Sequence, residues 1–91
     1  MSRFILTEYR LKPMFRDDFS VAWRKLYNQL KSDGHVVQTN LFQDDESKFY
    51  SIVEWNSDYT LLNDAAYSQE YAGMLEVLDK IQVLAPLTKV E

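Results

Sequence analysis

The amino-acid sequence predicts an α+β domain of element order β-α-β-β-α-β. Three observations carry that expectation. Short segments rich in Val, Ile, Phe, Tyr and Thr alternate with two stretches whose apolar residues recur every three or four positions. Polar clusters, glycine or proline stand at the junctions. Ninety-one residues suffice for one domain, so residues 1–91 read as a single unit.

The first strand is residues 4–11, ended by Pro13, which cannot donate to a ladder. Phe15, Phe19, Ala22, Trp23, Leu26, Tyr27 and Leu30 then mark one face of a helix. Asp17 and Asp18 suit its positive end, Lys31 its negative end, and Gly34 stops it in a left-handed cap. Residues 35–42 and 49–55 form the next two strands around the polar hairpin 43–48, whose acids read as solvated. Asn56, Ser57 and Asp58 offer a cap for a short helix over 59–66. Ser68 caps a longer helix with Tyr71, Met74, Leu75, Leu78 and Ile81 on one face. Residues 83–90 are the last strand, and Pro86 places it at a sheet edge or a bulge.

This is the split βαβ order of ferredoxin-like domains. Right-handed crossovers are expected to set the first and third strands side by side, running parallel, in the middle of an otherwise antiparallel sheet. Two helices cover only one sheet face, while every strand carries apolar residues on the other. Five Phe, six Tyr and two Trp also exceed the needs of so small a core. A second identical chain is the simplest cover, so the expected partner is the protein itself, as a homodimer.

Composition narrows the function classes. Without cysteine there is no disulfide or thiolate chemistry, and a reducing compartment follows. His35 is the single histidine, which removes the usual His/Cys metal sites; no metal and no cofactor are expected. The three-residue apolar run before Thr7 is too short for a signal peptide or a span, so a cytoplasmic protein off the membrane is expected. A net charge of −4 disfavours nucleic acid.

The stretch from Gly34 to Tyr71 resembles the antibiotic biosynthesis monooxygenase family. The shared features are Gly34 after the first helix, Glu54-Trp55 ending a hairpin strand, the polar run Asn56-Ser57-Asp58, and Ser68-Gln69-Glu70-Tyr71 opening the next helix. The opening strand, ending in Arg10-Leu11-Lys12-Pro13, is similar to the family's start. The resemblance implies a dimeric α+β barrel with one helix–sheet pocket per subunit. It covers cofactor-free oxygenases of quinols and polycyclic aromatics, haem-degrading enzymes and proteins without known activity. Histidines that many members carry are replaced here by the Asn63-Asp64-Ala65 and Gln69-Glu70 regions. The Asn, Trp and His used by the haem-degrading branch fall on Tyr9, Asn63 and Gly73, so haem chemistry is not expected.

The expected function is therefore a cofactor-independent monooxygenase acting on a small aromatic, quinol-type substrate. The alternative is a non-catalytic, ligand-binding or stress-related homodimer. Tyr9, Asn40 and Trp55 are the candidate catalytic residues, orienting the substrate or stabilising its anion. Trp23, Tyr27, Tyr67 and Tyr71 are candidate ligand-binding walls. Each aromatic has a core-packing reading beside it, and Trp55 is first a sheet–helix anchor. Glu8, Arg10 and Glu54 share a sheet face by parity, and an Arg10–Glu54 pair is the expected specificity device.

Overall fold

The computed structural model describes residues 2–44, 48–56 and 64–90. The expected short helix over 59–66, the Ser57-Asp58 cap and most of the hairpin tip lie outside these residues, apart from Asp64, Ala65 and Ala66. The elements are β1 (Ser2–Leu11), α1 (Arg16–Ser32), β2 (Val36–Gln43), β3 (Lys48–Asn56), a 3-10 turn (Ala65–Tyr67), α2 (Ser68–Glu76) and β4 (Leu78–Leu87).

They build a four-stranded sheet of order β2-β3-β1-β4 in which every neighbouring pair is antiparallel. The first and third strands are adjacent as expected, but they do not run parallel. The α1 crossover returns β2 in the direction of β1, and the hairpin then reverses the chain into β3.

The end of α1 follows the sequence closely. Gly34 takes φ 85°, its N–H reaches the Lys31 carbonyl at 3.1 Å, and the His35 N–H reaches that of Leu30 at 3.0 Å. These two bonds close a Schellman motif, which satisfies carbonyls that the last helical turn would otherwise leave bare. Before α1 the exposed Met14 also sits at positive φ, 71°, where a side chain is strained.

The second helix is shorter than its periodicity implies. It ends at Glu76, and Leu78 and Ile81 belong to β4, opposite Leu11 and Tyr9. Apolar residues at 75, 78 and 81 suit a helix, but the free edge of β1 offers a ladder along its length, and pairing overrides that local preference. Ser68 does not cap α2 either; its hydroxyl donates back to the Ala65 carbonyl, and Asp64 instead accepts from the Ala66 N–H at 2.9 Å. Pro86 does lie on an edge strand, beside an irregularity in the β1–β4 register.

The helices cover one side of the sheet. Thr7 and Tyr9 of β1, and Phe49, Ser51, Val53 and Trp55 of β3, point to that side and are buried. They meet Phe19, Trp23, Leu26, Tyr27 and Leu30 of α1 and Met74 of α2. Each such aliphatic or aromatic side chain withdrawn from water contributes about 1.5–3 kcal/mol. No helix among the described residues is long and apolar enough to cross a membrane.

Candidate functional site

Within the covered core the aromatic residues form a row rather than a ring. Tyr9 and Trp55 face the helices from neighbouring strands, but Tyr9 is opposite Phe49, six residues along β3 from Trp55. Their backbones are therefore about 20 Å apart at the usual rise per strand residue. Helix α1 bridges the gap. Trp23 donates its indole N–H to the Tyr9 hydroxyl at 3.2 Å and stacks on Tyr27, ring centroids 4.5 Å apart. Tyr27 in turn meets Trp55 edge-on at 5.7 Å. Phe19 closes the other end, 5.0 Å from Tyr9 and 5.1 Å from Phe49.

One polar line crosses this apolar row. The Tyr9 hydroxyl accepts from Trp23 and shares a 2.9 Å hydrogen bond with Ser51, whose side chain is 1% exposed. The Tyr9 hydroxyl thus accepts from the indole, while either it or Ser51 donates in the bond between them. Sequence reasoning passed over Ser51. The available signal was a lone small polar residue among Phe49, Val53 and Trp55 at core-facing alternate positions.

The phenols near this line remain protonated. Burial, then the neighbouring phenols of Tyr9 and Tyr71, push Tyr27 well above the ordinary phenol range. Burial and then Tyr9 also raise half-buried Tyr71. Tyr9, Tyr27, Tyr71, Ser51 and the Trp23 indole together make a set of hydrogen-bonding groups containing no carboxylate.

Two expected members lie elsewhere. Asn40 is opposite Ile52, and its exposed side chain shares the far side of the sheet with Ile52 and Leu6. It does not converge with Tyr9 and Trp55, because strand alternation sends it to the other face. Tyr67 packs in the same core but commits its hydroxyl to the Asp33 carboxylate, with its ring edge-on to His35 at 5.8 Å. Gln29 donates to that carboxylate too, at 3.0 and 3.1 Å. The bonds from Tyr67 and then Gln29 hold the Asp33 carboxyl below its usual range, with His35 adding a smaller pull. Burial and then the Asp33 contact push the Tyr67 phenol up to about 12.

The Arg10–Glu54 pair does not form within the chain. Arg10 is opposite Lys48, whereas Glu54 is opposite Phe4, six residues along β3. Surface clefts accompany the core. One of about 420 Å³ opens between α1 and α2 over Ala22, Lys25, Gln69, Glu70 and Gly73. Another of about 260 Å³ runs between α1 and the β2–β3 hairpin, with Arg16, Ser20, Arg24 and Phe42 on its walls. Of the aromatic row, Phe49 lines the second cleft, while Tyr9, Trp23, Tyr27 and Trp55 line neither.

The fold is that of solved antibiotic biosynthesis monooxygenase structures. A candidate antibiotic biosynthesis monooxygenase from Bordetella bronchiseptica superposes with a TM-score of 0.81 and 13% identity, over 99% of this chain and 98% of the other. SnoaB, a cofactor-independent oxygenase from Streptomyces nogalater, superposes with a TM-score of 0.80 and 7% identity, over 99% and 94%. A further antibiotic biosynthesis monooxygenase covers both chains completely, with a TM-score of 0.76 and 16% identity. No family model and no curated protein matches the sequence.

Proposed function

We propose that this chain is a cofactor-independent monooxygenase acting on a small, electron-rich aromatic of quinol or anthrone type. The observation that carries the reading is the polar line Trp23–Tyr9–Ser51 set inside the aromatic row, in a fold shared with a cofactor-independent oxygenase. Such a substrate supplies its own electrons once deprotonated. For an anthrone, the ring CH2 becomes a carbonyl, one oxygen atom of dioxygen enters the ring and the other leaves as water. The protein's task is to orient the substrate, exclude water and stabilise its anion. Neutral donors suit an anion, and the raised phenol pKa values keep Tyr27 and Tyr71 in donor form. The substrate would lie beside Tyr9, with half-buried Tyr71 as the outer wall and Trp23 and Tyr27 as stacking surfaces. Asn40 takes no part in this arrangement.

The same reading makes the working unit a homodimer. The uncovered sheet side carries Phe4, Leu6 and Ile52, all half-buried, and Phe42, which is 52% exposed. Two such surfaces face to face would remove them from water.

A second reading, a non-catalytic ligand-binding dimer, draws on one feature: the Tyr9 hydroxyl already has two partners inside its own chain. Oxygen uptake with a panel of quinols and anthrones separates the two. Oxygenase action requires uptake by the wild type that falls at least tenfold in Tyr9→Phe, with the variant folded by circular dichroism. Uptake no faster than in buffer for every compound leaves the binding reading in its place.

A further inference from the structure

The uncovered sheet side places three cations in a row. Arg10 on β1 is directly opposite Lys48 on β3 and Lys80 on β4. The next row inward is Tyr50, Glu8 and Gln82, so all three cations alternate onto the side away from the helices. Directly opposed side chains in an antiparallel pair begin about 5 Å apart at Cβ, and like charges in that position destabilise the sheet. Among the described residues no ion pair to a carboxylate relieves Arg10, Lys48 or Lys80.

Among the described residues, the acids in the neighbourhood are placed otherwise. Glu8 stands one row inward and is a single charge against three. Asp79 is the residue skipped between the Arg10–Lys80 and Leu11–Leu78 pairs, at the register shift of β4. The Asp44 carboxylate accepts from the Lys48 amide and the Tyr50 hydroxyl.

We propose that the row Lys48–Arg10–Lys80 binds a compact oxyanion, either phosphate or the carboxylate of a small ligand. A guanidinium flanked by two ammonium groups offers a planar fork at the centre and a movable point charge on each side. An oxyanion seated there converts mutual repulsion into charge-assisted hydrogen bonds. The site lies on the opposite side of the sheet from the aromatic row, at the end of the side that would face a second chain in the proposed homodimer, so the test separates an anion from a partner's carboxylates.

The test uses the full chain in low-salt, phosphate-free buffer. Thermal unfolding is followed while inorganic phosphate, benzoate or chloride is added at matched ionic strength. Phosphate or benzoate at ten times its Kd raises Tm by about 6 °C beyond chloride, and the anion with the larger shift identifies the source. Arg10→Gln and Lys80→Gln abolish the shift, and each raises Tm in anion-free buffer by removing repulsion. Arg24→Gln, an exposed cation on α1, keeps the shift. The proposal fails if both anions act no more strongly than chloride, or if the shift survives in Arg10→Gln. It also fails if Arg10→Gln dissociates a wild-type dimer, seen by sedimentation, while no anion shifts Tm. The row would then be held by a partner chain's carboxylates.

Discussion

On the helix-covered side of β1, Thr7 and Tyr9 are buried; one residue along, Glu8 is half-buried and Arg10 exposed, on a side that neither helix covers. The same strands thus present two different surfaces. The covered side is apolar and aromatic, and its few polar atoms are matched: Tyr9, Ser51 and Trp23 satisfy one another. Among the described residues no buried side-chain polar atom lacks a partner. The other side mixes Phe4, Leu6 and Ile52 with Glu8, Glu54 and a row of like charges. A surface closed by its own chain can be matched within the sequence. One left half-covered points to something the chain does not itself supply.

The largest expected effect tests the covered side. Leu26→Ala removes a fully buried side chain and costs about 2–5 kcal/mol in denaturant unfolding. Ile52→Ala, on the other side, costs less than about 1 kcal/mol in an isolated subunit. If a twin covers that side, the loss approaches the Leu26 value and the midpoint varies with protein concentration. A small, concentration-independent loss would falsify the homodimer.

Next in size is the polar line. Tyr9→Phe and Ser51→Ala each cost about 1–3 kcal/mol, since either leaves a buried hydroxyl without its partner. In a double-mutant cycle the two couple by at least about 0.5 kcal/mol; strict additivity would mean that the bond contributes nothing in solution.

Two backbone positions sharpen the comparison between a residue that fits its conformation and one that does not. Gly34→Ala costs about 1–2 kcal/mol, because φ 85° strains any side chain although space is open around the site. Met14→Gly should stabilise by up to about 1 kcal/mol, because the exposed methionine holds positive φ without packing in return. Equal signs for the two changes would contradict this account.

The smallest effects are in pH. Tyr67 has a folded pKa of about 12, above the unfolded phenol value near 10. Its contribution is complete below about pH 10 and is lost as pH rises towards 12, because the native state keeps a proton that the unfolded chain releases. Asp33 behaves in the opposite sense: its depressed carboxyl stabilises above the unfolded value near 3.9 and ceases to do so as pH falls through the folded value. Ultraviolet titration of Tyr67→Phe against wild type should remove one late-titrating phenol, and Asp33→Asn should flatten the acid limb.

Much of the architecture was legible in the sequence because its signals are local. The period of α1 placed Phe19, Trp23, Leu26, Tyr27 and Leu30 on one buried face. Gly34 marked its end by a conformation that disfavours other residues. The β2–β3 hairpin followed from alternation around a polar run. The end of α2 was not legible, since Leu75, Leu78 and Ile81 fit a helix until the free edge of β1 claims the last two. The candidate site was legible in part. Tyr9, Trp23, Tyr27 and Trp55 were singled out by residue type, but their joining into one row depends on which helix turn lies over which strand pair. Asn40 was assigned by residue type alone, without following its alternation to the far face.

The sequence by itself determined the element order, the apolar stripe of the first helix, its glycine stop and the surplus of aromatic side chains. Each is written in spacings of two to four residues, within which backbone geometry couples neighbours directly. Only the tertiary structure decided the antiparallel pairing of β1 with β3, the Tyr9–Ser51 bond across 42 residues, and the opposition of Lys48, Arg10 and Lys80. These depend on strand register. A register is chosen by the summed burial of a whole sheet face, and no single residue carries it.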